Sequence, residues 1–247
     1  MNASADRMTT SCVPTACAPA ATPFAPSAGI GQVNLNDLSA HVPVTRRKLE
    51  AGQYLYRAGQ AFNALFLVHA GFLKASLVAE DGREQVTGFR MRGELLGVES
   101  IGMKTYACDV VALDTSEVWE LPYPAVLTAC ARIPELQAQL TAALAAEIRS
   151  DRSWMLALGT LSAEQRVAAF LLDVAARHEA LGFSNKHFVL RMSRADIGSF
   201  LALKHETVTR ALTRLCAQGC ISVEWREVRV LDGEALHAMI GADARVH

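Results

Sequence analysis

The stretch Ser193-Arg194-Ala195-Asp196-Ile197-Gly198-Ser199-Phe200-Leu201-Ala202-Leu203, continued by Lys204-His205-Glu206-Thr207-Val208-Thr209-Arg210-Ala211-Leu212-Thr213-Arg214-Leu215, decides the reading of this chain. It predicts two short helices joined by a tight turn. In the second helix Val208, Leu212 and Leu215 share an inward face, and His205, Glu206, Thr209 and Arg210 share the opposite one. Gly219 stops that helix, and Ile221 to Val230 alternates as a two-stranded hairpin does, which makes the unit a winged helix-turn-helix. In such units the second helix enters the major groove of double-stranded DNA by its N-terminal end. The four outward residues suit that place. An arginine fork matches guanine O6 and N7, a glutamate accepts from cytosine N4, and a threonine methyl meets the thymine methyl. A carboxylate repels the phosphate backbone, so Glu206 is better explained by base reading than by affinity. Arg191, Arg194, Lys204 and Arg214 are the candidate phosphate contacts, with Lys186, Arg226 and Arg229 nearby.

Upstream, Ser162 and Gln165 have capping-box spacing before an apolar helical run. Before that lies a long alanine-rich segment that starts at Pro134, a tolerated first-turn proline, and runs to about 158, with Gly159 after it. Within it Leu144, Ile148, Asp151, Met155 and Leu158 alternate spacings of four and three, the narrow stripe of a two-helix seam, to which Trp154 is adjacent. A homodimer follows as the expectation. Asp151 then faces its own copy, unless it turns aside into solvent, and so weakens association.

Residues from about 44 to 122 show short alternating runs, Leu65-Phe66-Leu67-Val68 among them, separated by glycines, with Asp81-Gly82 as the clearest hairpin turn. An antiparallel β sandwich or barrel is expected there. The division is therefore a flexible arm over 1–31, a β-barrel over 32–130, a dimerisation helix over 131–160 and a winged helix-turn-helix over 161–247. Pro14, Pro19, Pro23 and Pro26 break the arm, and no segment reaches the roughly 18 apolar residues of a membrane span. The 24 basic and 25 acidic residues leave a net charge of -1, so any polyanion-binding surface has to be a local patch. Six irregularly spaced cysteines are too sparse for a disulfide framework. The expectation is a soluble cytoplasmic protein without contact to membranes.

With Asp196-Ile197-Gly198 and Glu206-Thr207-Val208-Thr209-Arg210, supported by Glu84-Gln85-Val86-Thr87-Gly88-Phe89, Gly93-Glu94-Leu95-Leu96-Gly97 and Glu164-Gln165-Arg166-Val167-Ala168-Ala169-Phe170, the chain from near 44 onward resembles the CRP/FNR family of transcription regulators, its FNR branch above all. The resemblance implies an α+β fold: an antiparallel jelly-roll of the cyclic-nucleotide-binding kind, a long dimer helix and a C-terminal winged helix-turn-helix. It also implies that Glu206 and Arg210 read the TGA core of each half-site. Thr209 stands where the oxygen-sensing branch has Ser and the cyclic-AMP branch Gly, so an FNR-like palindrome of TTGAT and ATCAA halves is expected. His205 replaces the residue that distinguishes the branches, which leaves the outer base pair open. A family member with the seam aspartate uses it to keep its unliganded form monomeric.

Two ligands come with the resemblance, and the sequence departs from both. An oxygen-labile iron–sulfur cluster needs four thiolates. The arm offers only Cys12 and Cys17, and Trp119 occupies the barrel position of the fourth ligand, leaving Cys108 as an improvised one. Cys216 and Cys220 read as buried structural thiols. A cyclic nucleotide needs the Arg-Ser pair that grips its phosphate, and Tyr106 and Ala107 stand there. Regulation without either ligand is expected, with a redox- or oxygen-responsive regulator using an atypical iron–sulfur or thiol site at Cys12, Cys17 and Cys108 as the alternative. A cupin-like metalloenzyme would need clustered histidines, and the barrel region has His69 alone. RNA polymerase is a further partner implied by the family, through the hairpin from Asp81 to Glu84, where Arg83 replaces an acidic residue.

Overall fold

The computed structural model describes residues 40–241. Cys12, Cys17 and the arm over 1–31 lie outside the described residues. Among the described residues eight strands form the N-terminal unit: β1 (Thr45–Leu49), β2 (Tyr54–Tyr56), β3 (Ala64–Ala70), β4 (Phe72–Val78), β5 (Glu84–Met91), β6 (Leu95–Leu96), β7 (Asp109–Ala112) and β8 (Ser116–Pro122). They make two four-stranded antiparallel sheets, ordered β1-β8-β3-β6 and β2-β7-β4-β5. Between the sheets Leu49, Leu55, Phe66, Val68, Leu73, Val110 and Val118 are buried, each supplied by the inward half of an alternating strand. The β4–β5 hairpin turns at Asp81-Gly82 as its sequence predicts, with the Ala79 amide donating to the Arg83 carbonyl at 2.9 Å. Gly71, at φ +92°, links β3 to β4 so close to Ser116 that a Cβ would lie 2.2 Å from its hydroxyl oxygen.

A short helix that the sequence pattern did not announce, α1 (Tyr123–Arg132), caps the barrel. Cys130 is buried on it, just before the long helix begins. The long helix α2 spans Pro134–Thr160. It passes through Gly159 instead of ending before it. One glycine costs a helix only about 1 kcal/mol relative to alanine, and the Leu161 amide still closes on the Ala157 carbonyl at 2.9 Å.

The C-terminal unit contains α3 (Ala163–Ala180), β9 (His187–Val189), α4 (Arg194–Phe200), α5 (His205–Ala217), β10 (Ile221–Glu224), β11 (Glu227–Val230) and α6 (Gly233–Gly241). Ser162 and Gln165 cap α3 reciprocally, as their spacing predicts. The β10–β11 hairpin is the wing, and β9 adds a third strand along β11. Helix α6, also unannounced, lies on α3, where the Gln165 side-chain amide donates to the Met239 carbonyl at 2.9 Å.

The two units share a core. Val86 and Phe89 of β5 join Trp154 and Ala157 of α2, Phe170 of α3 and Phe200 of α4 in one buried cluster. Trp154 therefore does not serve the exposed seam. Its ring meets Phe200 edge-on at 4.8 Å between centroids, because position 154 falls on the α2 face that covers the C-terminal unit. Among the described residues no helix is long and apolar enough to cross a membrane.

Candidate DNA-reading face and its connections

Helices α4 and α5 meet at the tight turn over Leu201, Ala202 and Leu203. The close approach is made possible by Gly198, where a Cβ would stand 2.6 Å from the Leu203 carbonyl oxygen. Ser193 and Asp196 form a capping box that starts α4. Val208, Ala211, Leu212 and Leu215 bury one face of α5, and His205, Glu206, Thr209 and Arg210 are exposed together at the start of the other. The Thr209 hydroxyl donates to the His205 carbonyl at 3.0 Å, which commits it to the helix and leaves the methyl for a base. Arg210 donates to the Thr207 hydroxyl at 3.3 Å, and His205 lies 3.2 Å from the Glu206 carboxylate. These contacts are exposed and easily exchanged for base edges.

The candidate phosphate contacts separate into two pairs. Lys204, at the N-cap of α5, is exposed, and so is Arg214, whose nearest carboxylate is Glu164 at 3.6 Å. Arg191 instead reaches back to the barrel and pairs with Asp114 at 2.8 Å. Arg194 is partly buried, which lowers its pKa, and it stands near Cys216.

Helix α4 is also the face by which the C-terminal unit holds the barrel. Lys74 of β4 donates to Asp196 at 2.8 Å and lies 3.0 Å from Glu84. The Val86 amide donates to the Ser199 hydroxyl at 2.9 Å, that hydroxyl donates to the Glu84 carbonyl at 3.2 Å, and the Gln85 side chain donates to the Ser199 carbonyl. Burial works against the Asp196 carboxylate, yet the hydrogen bonds from Lys74 and Ser193 hold its pKa below the usual range. Sequence periodicity carries no sign of Lys74, Ser199 or Gln85 as a contact set, because more than a hundred residues separate the partners.

A model of the cyclic nucleotide-binding domain family matches residues 46–132, and one of the Crp-like helix-turn-helix domain family matches residues 165–239. Over 195 residues, 79% of this chain and 80% of its relative, the sequence is 40% identical to the transcriptional activator protein anr of Pseudomonas aeruginosa. It is 33% identical over 196 residues to the fumarate and nitrate reduction regulatory protein of Salmonella typhimurium, covering 79% of this chain and 78% of the other. The chain belongs to the CRP/FNR family. It is a DNA-binding transcription regulator, and its relatives are regulators rather than enzymes. Among solved structures, FixK2 from Bradyrhizobium japonicum superposes with a TM-score of 0.73 at 27% identity, covering 79% of this chain and 96% of that one.

The barrel of this CRP/FNR regulator is filled where the family resemblance places a nucleotide. Tyr106 is 4% exposed, stacks on Tyr56 at 3.9 Å between centroids, meets Phe62 edge-on and donates to the Ala64 carbonyl at 2.8 Å. Glu94 is taken as well. Arg177 of α3 donates to its carboxylate at 2.7 to 3.0 Å and to the Phe89 carbonyl at 2.6 Å, and Asp173 stands 3.5 Å from the same guanidinium. The residues present thus do not fit a cyclic phosphodiester.

Nor do they fit an iron–sulfur cluster in the barrel. Trp119 on β8 stacks on His69 at 4.8 Å, with the Arg46 guanidinium 5.6 Å from its ring. Cys108 is buried with its sulfur 3.2 Å from the Glu99 carboxylate, and burial followed by that charge pushes its pKa up to about 12. A cluster needs exposed thiolates within reach of one another, and this thiol is buried with its proton directed at a carboxylate.

The α2 stripe is open at Ile148, 51% exposed, and at Met155, 73% exposed, with Asp151 exposed between them; Leu144 and Leu158 are half-buried. Leu156, 61% exposed, widens the apolar surface beside the stripe. Asp151 does not turn wholly to solvent. It lines a small cavity in which the polar groups of Arg90, Glu94, Glu147, Ser150, Asp173 and Arg177 stand beside the rings of Phe89, Trp154, Phe170 and Phe200. Burial raises its pKa, and Arg90 of β5 opposes that rise. Arg90 is itself partly buried and ion-paired to Glu147. Periodicity identifies Asp151 but not the cation beside it.

Proposed function

We propose that the protein acts as a homodimer on a palindrome of TTGAT and ATCAA halves, in the cytoplasm, with neither an iron–sulfur cluster nor a cyclic nucleotide as its signal. The single observation that carries the DNA part is the exposed quartet His205, Glu206, Thr209 and Arg210 at the start of α5, with only exchangeable contacts. In this reading Glu206 and Arg210 read the TGA core, Thr209 meets a thymine methyl, His205 faces the outer base pair, and Lys204 and Arg214 contact phosphates. Arg191 and Arg194 serve DNA only after leaving Asp114 and the domain interior. Support for the dimer is the exposed apolar run Ile148, Met155 and Leu156, with Leu144 and Leu158 at its margins, which a second α2 would cover. RNA polymerase belongs to the same reading as the partner of the β4–β5 hairpin, at whose tip Asp81 and Arg83 stand exposed and paired at 2.7 Å.

The absence of both family ligands is supported by the stacked Tyr106, by the engagement of Glu94 with Arg177, by Trp119 and by the burial of Cys108 against Glu99. The test has two arms. Purified protein is titrated against a palindromic TTGAT/ATCAA duplex and scrambled duplexes, in air and under anoxia, and sedimented at micromolar concentration. The reading expects specific binding by a dimer under both atmospheres. A monomer in both, or equal affinity for all duplexes, overturns it. Iron and sulfide content with the visible spectrum of anaerobically purified protein forms the second arm, and a brown, iron-bearing protein overturns the ligand-free part.

A further inference from the structure

The wing ends on a residue that its own turn disfavours. Glu224 pairs with Glu227, so the turn consists of Trp225 and Arg226 alone. Trp225 has φ +57°, the left-handed region that glycine or asparagine fills at such hairpin tips and that crowds any larger side chain. It is also 98% exposed, whereas the other two tryptophans, Trp119 and Trp154, are each 7% exposed. A strained backbone and a large apolar side chain wholly in water both work against the isolated fold. Residues in that condition cluster at functional contacts.

The turn is held in place. The Leu190 amide donates to the Arg226 carbonyl at 2.8 Å, and Val228, next along the hairpin, is fully buried. The wing is tied to the reading helix too, for the Cys220 amide donates to the Leu215 carbonyl at 3.1 Å immediately before β10. The charges around the tip restrict what it can meet. Arg226 stands at the apex beside Trp225, and Glu224 and Glu227 flank the turn one residue further back, Glu227 within 3.3 Å of His187. Two carboxylates keep the flanks of the hairpin from lying along a phosphate backbone, so contact with DNA is confined to the apex. An apolar wedge beside an arginine is what enters a minor groove, the wedge meeting sugars and base steps and the guanidinium meeting the groove's negative potential.

We propose that Trp225, with Arg226, is a DNA contact at the wing apex that enters the minor groove beside the half-site read by α5. The proposal rests on the placement of α5 on the half-site, and its test separates the two. Trp225→Gly removes the side chain at a backbone angle that glycine prefers, so the melting temperature stays equal or rises. Its affinity for a palindrome with A·T-rich flanks is expected to fall about tenfold, the scale of one mismatched base pair, and the effect to shrink on a duplex cut back to the core. Because Trp119 and Trp154 are buried, emission quenched by acrylamide belongs to Trp225, and saturating duplex is expected to shield it. Equal affinity of wild type and Trp225→Gly on both duplexes, with quenching unchanged by DNA, overturns the proposal while leaving α5 in place. So does normal DNA binding by the variant with abolished transcription, which assigns the apex to a protein partner. Failure of the wild type itself to bind the palindrome counts against the α5 placement instead.

Discussion

Two clusters of charge in this molecule use the same residue types to opposite ends. One is largely buried where barrel, long helix and C-terminal unit meet, with Glu94 and Asp173 buried and Arg90, Arg177 and Glu147 partly so. The other lies open at the start of α5: His205, Glu206 and Arg210. In the first every guanidinium has a carboxylate partner fixed by the fold, as with Arg177 and Glu94 at 2.7 Å. In the second the contacts are local and solvated, such as His205 to Glu206 at 3.2 Å with both side chains 62% exposed. Burial makes a charge structural, since its partner cannot leave without stranding it. Exposure keeps a charge available, because water stands in for a partner until DNA arrives.

The largest effect that could break this contrast is in the buried cluster. Arg177→Met leaves Glu94 and Asp173 without their cation, and the expected loss is about 3 to 5 kcal/mol of unfolding free energy, read by urea denaturation. Pairing it with Glu94→Leu recovers part of that loss, because the stranded carboxylate is then gone. A single variant that unfolds like the wild type refutes the structural role.

Arg210→Ala and Glu206→Ala are expected to do the reverse. Each leaves the denaturation curve within about 0.5 kcal/mol of wild type, as exposed substitutions do. Each weakens binding to the TTGAT-type palindrome by about 1 to 3 kcal/mol and relaxes the preference at one base pair, measured by fluorescence anisotropy on single-substitution duplexes. Smaller again is Lys204→Ala. Without the ammonium group beside a phosphate, affinity falls evenly across sequences and the slope of log affinity against log salt drops by about 1. An unchanged slope places Lys204 away from the backbone.

The same contrast explains what the sequence makes legible. The α5 face, the Ser162 cap and the wing hairpin arise from periodicities and caps that act within a few residues, and all three stand in the structure as their patterns predict. The three-stranded C-terminal sheet needed β9, which pairs with β11 across about forty residues, and the buried cluster needed Arg90 to find Glu147 across 57. Nothing in local spacing records such pairings. Trp154 shows the limit within one helix. It sits next to the Ile148, Asp151 and Met155 stripe, but only the packing of Phe200 and Phe170 decides that it turns inward.

Asp151 lies between the two clusters and gives the finest test of the comparison. It shares a cavity with the buried charges yet is exposed on the open seam. Burial raises its pKa and Arg90 opposes the rise, while Glu147 of the same cavity has its own pKa raised by burial, against Arg90, with Asp151 adding to the rise. A carboxylate whose folded pKa is raised penalises the folded state when ionised, and the penalty is relieved as pH falls through that raised value. In the proposed dimer two copies face each other, so the relief is doubled. Dimerisation is therefore expected to tighten several-fold as pH drops from neutral toward the ordinary carboxylate range, followed by sedimentation equilibrium. Asp151→Asn should remove that pH dependence and dimerise at neutral pH as strongly as the wild type does in acid. Arg90→Met should act oppositely, loosening the dimer at neutral pH by removing the cation that offsets Asp151. A wild-type dimer constant that is flat with pH, and unmoved in Asp151→Asn, would place Asp151 with the solvated charges of α5 rather than with the buried ones around Arg90.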